Sequence, residues 1–167
     1  MTHRQLHRRR WRNFCQNRRA FWSLWIFVIA FGVSLFAELI ANDRPILVKY
    51  RDGFYSPIVK FYPEQTFGGD LRTEAIYADI EVECLIVTGG LVDCWDSPEI
   101  LIADAADGII DNRPIERGWI IWPPIPYHHS TVSTLDMPAP SPPAADHWLG
   151  TDDTARDVLA RIIYGFR

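Results

Sequence analysis

The sequence predicts a membrane α-helical chain. It has one N-terminal transmembrane helix, then an irregular α+β, Pro-rich extracytoplasmic segment, then a C-terminal amphipathic helix. Three observations carry that prediction. Residues 1–19 hold seven arginines and no acid, and Ala20 to Ala37 is a run of 18 residues without a charge. The stretch 149–167 repeats apolar residues at helical spacing behind a turn.

The basic tip comes first. Of 17 Lys/Arg, seven lie in residues 1–19, which leaves ten against all 21 Asp/Glu. A cationic tip on an acidic body indicates two different surroundings, and no nucleic-acid partner is expected. Residues 1–19 are read as a basic cytoplasmic N-terminus.

Residues 20–40 are read as the transmembrane helix, in contact with the lipid bilayer. At ~1.5 Å per residue a helix of this length spans about 31 Å, matching a hydrocarbon core of about 30 Å. Trp22, Leu24, Trp25, Ile26, Phe27, Val28, Ile29 and Phe31 cannot share one face, whereas a soluble amphipathic helix would leave a polar stripe. Phe21, Trp22 and Trp25 crowd the basic end, where an aromatic belt sits. A buried core helix this uniformly apolar does not suit so short a chain. A cleaved signal peptide has a shorter apolar core and a better cleavage site than Leu39-Ile40-Ala41. Positive charge before the span places the N-terminus in the cytoplasm, with residues from about 42 onward periplasmic.

Residues 42–122 are read as a periplasmic insertion with short strands. "ILVKY", "GFYSPIVKFY", "ECLIVTGGLVDCW" and "WIIW" are apolar runs separated by Gly, Pro or Asp. Residues 123–148 are read as a Pro-rich strap, since 123–143 hold seven of the 12 prolines and cannot supply ladder donors.

Cys15 falls on the cytoplasmic side, where a reduced thiol is expected. Cys84 and Cys94 face an oxidising compartment. A hairpin with a three-residue Thr88-Gly89-Gly90 loop sets Cys84 opposite Cys94 for a disulfide. A two-residue turn sets Cys84 opposite Trp95 instead, so disulfide and separate thiols both stay open.

Chemistry-bearing patterns are weak. The Cys pair has no zinc spacing. His128 and His129 are adjacent and point apart on an extended backbone. Asp104, Asp107 and Asp111 lack the alternate ligands and closing glutamate of a calcium loop. Ser130, Asp146 and His147 hold the letters of a hydrolase triad without its Gly-x-Ser-x-Gly elbow. With no phosphate-binding glycine loop, the chain should not bind ATP itself. No catalytic residue, cofactor or metal site is assigned, and the chain is read as not an enzyme. Glu38 sits at the outer end of the span, where a hydrated carboxylate is ordinary.

The closing stretch "HWLGTDDTARDVLARIIYGFR" is more specific. Gly150 turns the chain, Thr151 or Asp152 can cap a helix, and Asp152, Asp153 and Asp157 suit its positive end. Val158, Leu159, Ile162 and Ile163 form one stripe, with Asp152–Arg156 and Asp157–Arg161 paired at i,i+4. By physics alone such a helix lies on a membrane, on a protein or on its own domain. The stretch resembles the approach to the second transmembrane helix in C-type permease subunits of dipeptide/oligopeptide ABC importers. Leu149, Gly150, Thr151, Asp152, Arg156, Asp157, Val158, Leu159, Arg161, Ile163, Tyr164, Gly165 and Arg167 carry the match. Ala155 stands where that family usually has glycine, and Phe166 where it has a small or hydroxyl residue.

The front end agrees. "NRRAFWSLWIFVIAFGVSLFAELIANDRPILVKY" is similar to the first helix of Yej-type permeases, which belong to importers of peptides and the peptide-nucleotide antibiotic microcin C. "YPEQTFGG", "GWIIWPPIPY" and "PAPSPPAADHWLGTD" look like their long periplasmic insertion. The resemblance runs from 12 to 167 and is least familiar around 80–112. It implies a second permease subunit, ATP-binding subunits that hydrolyse the ATP, and a periplasmic peptide-binding protein as partners. It also implies an inner-membrane location and a truncated, N-terminal portion of a permease, with 149–167 leading toward a second transmembrane helix that is missing. The competing reading is a single-pass membrane-anchored periplasmic interaction module without transport activity.

Overall fold

The computed structural model of the chain describes residues 3–110, 113–133 and 138–166. Asp111 and Arg167, named above, lie outside them. Two helices open the chain, α1 at His3–Gln16 and α2 at Arg18–Leu35. Asn17 separates them in an extended conformation, and its side chain caps α2 by accepting from the Ala20 N–H at 3.4 Å.

The apolar helix of residues 20–40 is not continuous. Phe36 interrupts it, and α3 resumes at Ala37–Ile40. The Ser34 hydroxyl donates back to the Phe31 carbonyl at 2.7 Å, and the Phe36 and Leu39 N–H groups bond three residues back rather than four. Side-chain back-bonding and a tightened turn account for the break. Among the described residues α2 is the one helix long and apolar enough to cross a membrane. Trp22, Ile26, Phe27 and Ile29 are each at least 60% exposed, so α2 is no core helix.

Beyond the membrane helix a three-stranded antiparallel sheet forms, in the order β2-β1-β5. Its strands are β1 (Leu47–Tyr50), β2 (Gly53–Tyr55) and β5 (Trp119–Ile121). A separate two-stranded ladder joins β3 (Ile109–Ile110) to β4 (Arg113–Pro114). Alternation along β1 turns Val48 and Tyr50 inward. They meet Val82 and Ile86 of α4 (Ile80–Thr88) in the main core. Phe67 is the hub of that core. It is fully buried, with the rings of Tyr50, Tyr55, Tyr62 and Tyr77 edge-on around it at 5.5–6.5 Å. Burial together with the nearby Glu74 carboxylate raises the Tyr77 hydroxyl pKa well above 10.

Residues 80–95 depart from the expected hairpin. "ECLIVT" belongs to α4, and Gly89 and Gly90, at φ of 77° and 92°, end the helix instead of forming a strand loop. The Gly90 N–H bonds the Leu85 carbonyl at 2.8 Å, a glycine-terminated helix end. The physical reason lies in the unbroken burial of Cys84, Leu85, Ile86, Val87 and Thr88. Val82 and Ile86 face the sheet, Cys84 and Leu85 face Leu91, Leu101 and Ile102, and Val87 faces Ala105 and Ile110. A helix enclosed this way has no polar stripe, and its short apolar run reads like a strand. After a 3-10 turn at Val92–Trp95, α5 (Pro98–Asp104) closes this corner, with proline in its first turn.

Cys84 and Cys94 are joined by a disulfide with S–S 2.06 Å and Cα atoms 5.7 Å apart. Both are fully buried. Replacing both by alanine should lower unfolding stability by about 3 kcal/mol, the chain-entropy value for so short a loop, as read from thermal unfolding in detergent. Peptide mapping without reductant should recover the 84–94 pair cross-linked. Free thiols at both positions would contradict the structure.

Candidate functional site

The site that gathers most of the motif residues is the turn before α6 (Val158–Gly165) and the seat of that helix on α2 and α3. The expected helix over 149–167 is therefore shorter, because residues 149–157 form a hydrogen-bonded knot. Gly150 adopts φ 76°, and a Cβ there would lie 2.3 Å from the Ser141 carbonyl oxygen. That contact admits glycine alone, both in conformation and in space. The Thr151 N–H donates to the same carbonyl at 3.1 Å, and the Ser141 N–H donates to the Thr151 hydroxyl at 2.9 Å. The Pro-rich strap is thus stitched to the motif.

Asp152 sits at the centre of the knot. One carboxylate oxygen accepts from the N–H groups of Thr154 and Arg156 and from the Thr154 hydroxyl, at 2.8–2.9 Å. The other accepts from Arg156 Nε at 3.1 Å and from Arg161. The Arg156 N–H, helped by the Thr154 donors and the Arg156 side chain, holds this carboxyl well below the usual carboxylate range. Satisfying so many donors bends the chain sharply, and Ala155 takes φ 57°.

Asp157 caps α6, with Oδ1 accepting from the Ala160 N–H at 2.7 Å. Its Oδ2 lies 2.8 Å from His147 Nδ1, both side chains being 2% exposed. Tyr127 stacks on the imidazole with ring centres 4.4 Å apart. A carboxylate so deeply buried is tolerated because it is paired and hydrogen-bonded. His147 Nε2 is buried without a partner.

One stripe of the apolar helix is covered within the chain. Ser34, Ala37 and Ala41 are buried at helical spacing, Ala160 of α6 is equally buried, and α6 packs against α2 and α3. Small side chains let helix backbones approach closely. Ala41 and Ala160 share an apolar cluster with Ile125, flanked by Leu159, Ile163 and Tyr164. The Tyr164 hydroxyl lies 3.0 Å from the Glu38 carboxylate and 2.9 Å from the Ala41 carbonyl. Asn42 Nδ2 donates to the same Glu38 oxygen at 3.0 Å.

Outside this seat Glu38, Asn42, Asp43, Arg44, Ile58, His128 and Ser130 line a polar cavity of about 400 Å³. Arg44 pairs with Glu74 at 2.7 Å. Burial, then the neighbouring His129, lowers the His128 pKa. The two histidine rings do not point apart. They lie 4.0 Å from each other and both contact Tyr164, because residues 128–131 turn, with the Thr131 N–H on the His128 carbonyl.

The triad letters are dispersed. Ser130 bonds His128 at 2.7 Å and His147 bonds Asp157, while Asp146 lines a separate cavity of about 150 Å³ beside Trp148. Among the described residues no group of three His, Cys, Asp or Glu could hold a metal. Gly150, Thr151, Asp152, Arg156, Asp157 and Arg161 are brought together. Leu149 is 47% exposed, Gly165 ends α6, and Cys84 and Cys94 belong to the α4 corner. Sequence reasoning missed Ser141, Tyr127 and the role of His147. The Asp152–Arg156 pair expected at i,i+4 is present, whereas Arg161 turns to Asp152 and Asp157 to His147 instead of pairing with each other.

Two substitutions read the turn directly. Ala155→Gly should stabilise the protein by roughly 0.5–1 kcal/mol, since the left-handed conformation costs alanine about 1–2 kcal/mol and glycine returns part of this as chain entropy. Gly150→Ala should destabilise it by about 2 kcal/mol or more. Thermal unfolding in detergent measures both, and a destabilising Ala155→Gly would refute the account of the turn.

Residues 5–57, from α1 to just past β2, match the family described as the N-terminal TM domain of oligopeptide transport permease C. Over 95% of its length the chain is 40% identical to the inner membrane ABC transporter permease protein YejE of Escherichia coli, covering 38% of that protein. It is 37% identical over 96% of its length to the peptidoglycan transport system permease protein YejE of Agrobacterium fabrum, covering 41% of it. A 41-residue stretch is 46% identical to the oligopeptide transport system permease protein OppC of Bacillus subtilis, covering 25% of this chain and 13% of that protein. The chain therefore spans about two-fifths of the length of the YejE proteins it matches. No solved structure matches. An apolar helix of membrane length, the match at 5–57 to the N-terminal TM domain of oligopeptide transport permease C and similarity along nearly all of its length make this chain YejE-like.

Proposed function

We propose that the chain supplies the first membrane span and the periplasmic insertion of an inner-membrane permease subunit that imports oligopeptides, microcin C-like peptides included. ATP is hydrolysed by separate ATP-binding subunits, and a second permease subunit and a periplasmic peptide-binding protein complete the importer. The observation that carries this reading is identity of 40% along 95% of the chain to an inner membrane ABC transporter permease. Residues 1–19 stay in the cytoplasm, α2 and α3 cross the bilayer, and the chain from about residue 42 is periplasmic. The excess of arginine before the span supports that orientation, and a buried disulfide in the insertion suits an oxidising compartment. In this reading the insertion (42–122) and strap (123–148) form an outer platform. The motif from Leu149 holds the platform on the span and leads toward a further one.

A reporter enzyme that is active only after export tests the orientation. Fused in cells after Lys60 it should be active, and after Gln16 inactive, while the reverse pattern would overturn the topology. Deleting the gene should abolish uptake of a labelled oligopeptide that the parent cells import. Undiminished uptake of every oligopeptide tested would remove the transport assignment.

A further inference from the structure

We propose that α1 is an interfacial helix that lies on the anionic lipid surface around the cytoplasmic end of the span. The inference rests on the membrane reading above and adds a binding partner for the one helix that reading leaves idle. Asn17 makes α1 a separate rod, joined to α2 through a single extended residue. Its sequence carries Arg4, Arg8, Arg9, Arg10 and Arg12 with no acid, and Arg18 and Arg19 follow at once. A rod tethered one residue from a membrane span always has lipid headgroups within reach, at high effective concentration.

The side that would meet the lipid is present in the described part of the helix. Trp11 is 62% exposed and stacks on Phe14, with ring centres 5.7 Å apart. Cys15 follows Trp11 by one turn and is also exposed. Trp11, Phe14 and Cys15 therefore share one side of α1. Tryptophan at headgroup depth and arginine beside phosphate are each favourable. Three such residues are too little apolar surface to hold the helix on an uncharged bilayer. The cations must supply the rest, so the partner is anionic phospholipid in particular.

Cys15 is the test site, because Cys84 and Cys94 are already cross-linked and leave it as the free thiol. The full chain, labelled there with a polarity-sensitive fluorophore, is placed in nanodiscs of phosphatidylglycerol or of phosphatidylcholine. In phosphatidylglycerol the emission should shift to the blue and quenching by neutral acrylamide should fall several-fold. High salt, or R8Q/R9Q/R10Q/R12Q in one variant, should reverse both changes, as screened electrostatics requires. Phosphatidylcholine discs should give the aqueous spectrum. A label equally open to acrylamide in both lipids, with the protein retained in the discs, overturns this inference and leaves the membrane reading standing. Protein that alkaline carbonate extracts from membranes overturns both.

Discussion

Packing of α6 against the C-terminal end of the apolar helix is the contact on which the rest of the arrangement depends. Ser34, Ala37 and Ala41 are buried with almost no side-chain bulk, Ala41 shares an apolar cluster with Ala160, and α6 packs against α2 and α3. Everything else at the junction needs that packing. Tyr164 reaches Glu38 and the Ala41 carbonyl only because α6 is seated. The strap follows the same line, with Ile125 bonded to Ile40 and Asn42 through its backbone. The knot around Asp152 and the buried Asp157–His147 pair hold the first turn of α6 in place from the other side. A small-residue seam thus carries a polar clamp, and the two are coupled through one short helix.

The body that follows the apolar helix is organised on a different principle. Its main core is aromatic, with Phe67 enclosed by four tyrosines between the sheet and α4. Smaller apolar clusters hold α5 and the disulfide corner. These clusters share no buried residue with the Ala41–Ile125–Ala160 cluster. The body therefore has its own reasons to fold, and the seam decides how it is held on the span.

Much of this was legible in the sequence, for identifiable reasons. The apolar span declared itself because 18 uncharged residues have few alternatives. The strands at 47–50, 53–55 and 119–121 fell on short β-branched and aromatic runs. The Gly150 turn followed from residue type, whereas the cap expected at Thr151 or Asp152 lies at Asp157, because the hydrogen-bonded knot delays the helix. The α4 segment was misread because a helix buried without a break from Cys84 to Thr88 loses there the periodicity that identifies helices. His128 and His129 were misplaced because an extended backbone was assumed where the chain turns. The Asp157–His147 pair, the Ser141–Thr151 stitch and the Tyr164–Glu38 contact join residues 10, 10 and 126 apart in the chain, and one sequence holds no signal for such pairing. Ala155 was visible as a departure from the family's glycine, and its φ of 57° supplies the physical meaning of that departure.

The seam is tested most directly by enlarging it. Hydrogen exchange is measured on the amides of Val158–Gly165 in the protein held in lipid, with and without Ala37→Leu. Overpacking a buried site costs about 1–3 kcal/mol, so exchange in α6 should speed up by roughly 5- to 150-fold, while the strands Leu47–Tyr50 and Gly53–Tyr55 keep their protection. Unchanged protection of α6 in the variant would show that the seam does not hold the helix, and would contradict the account.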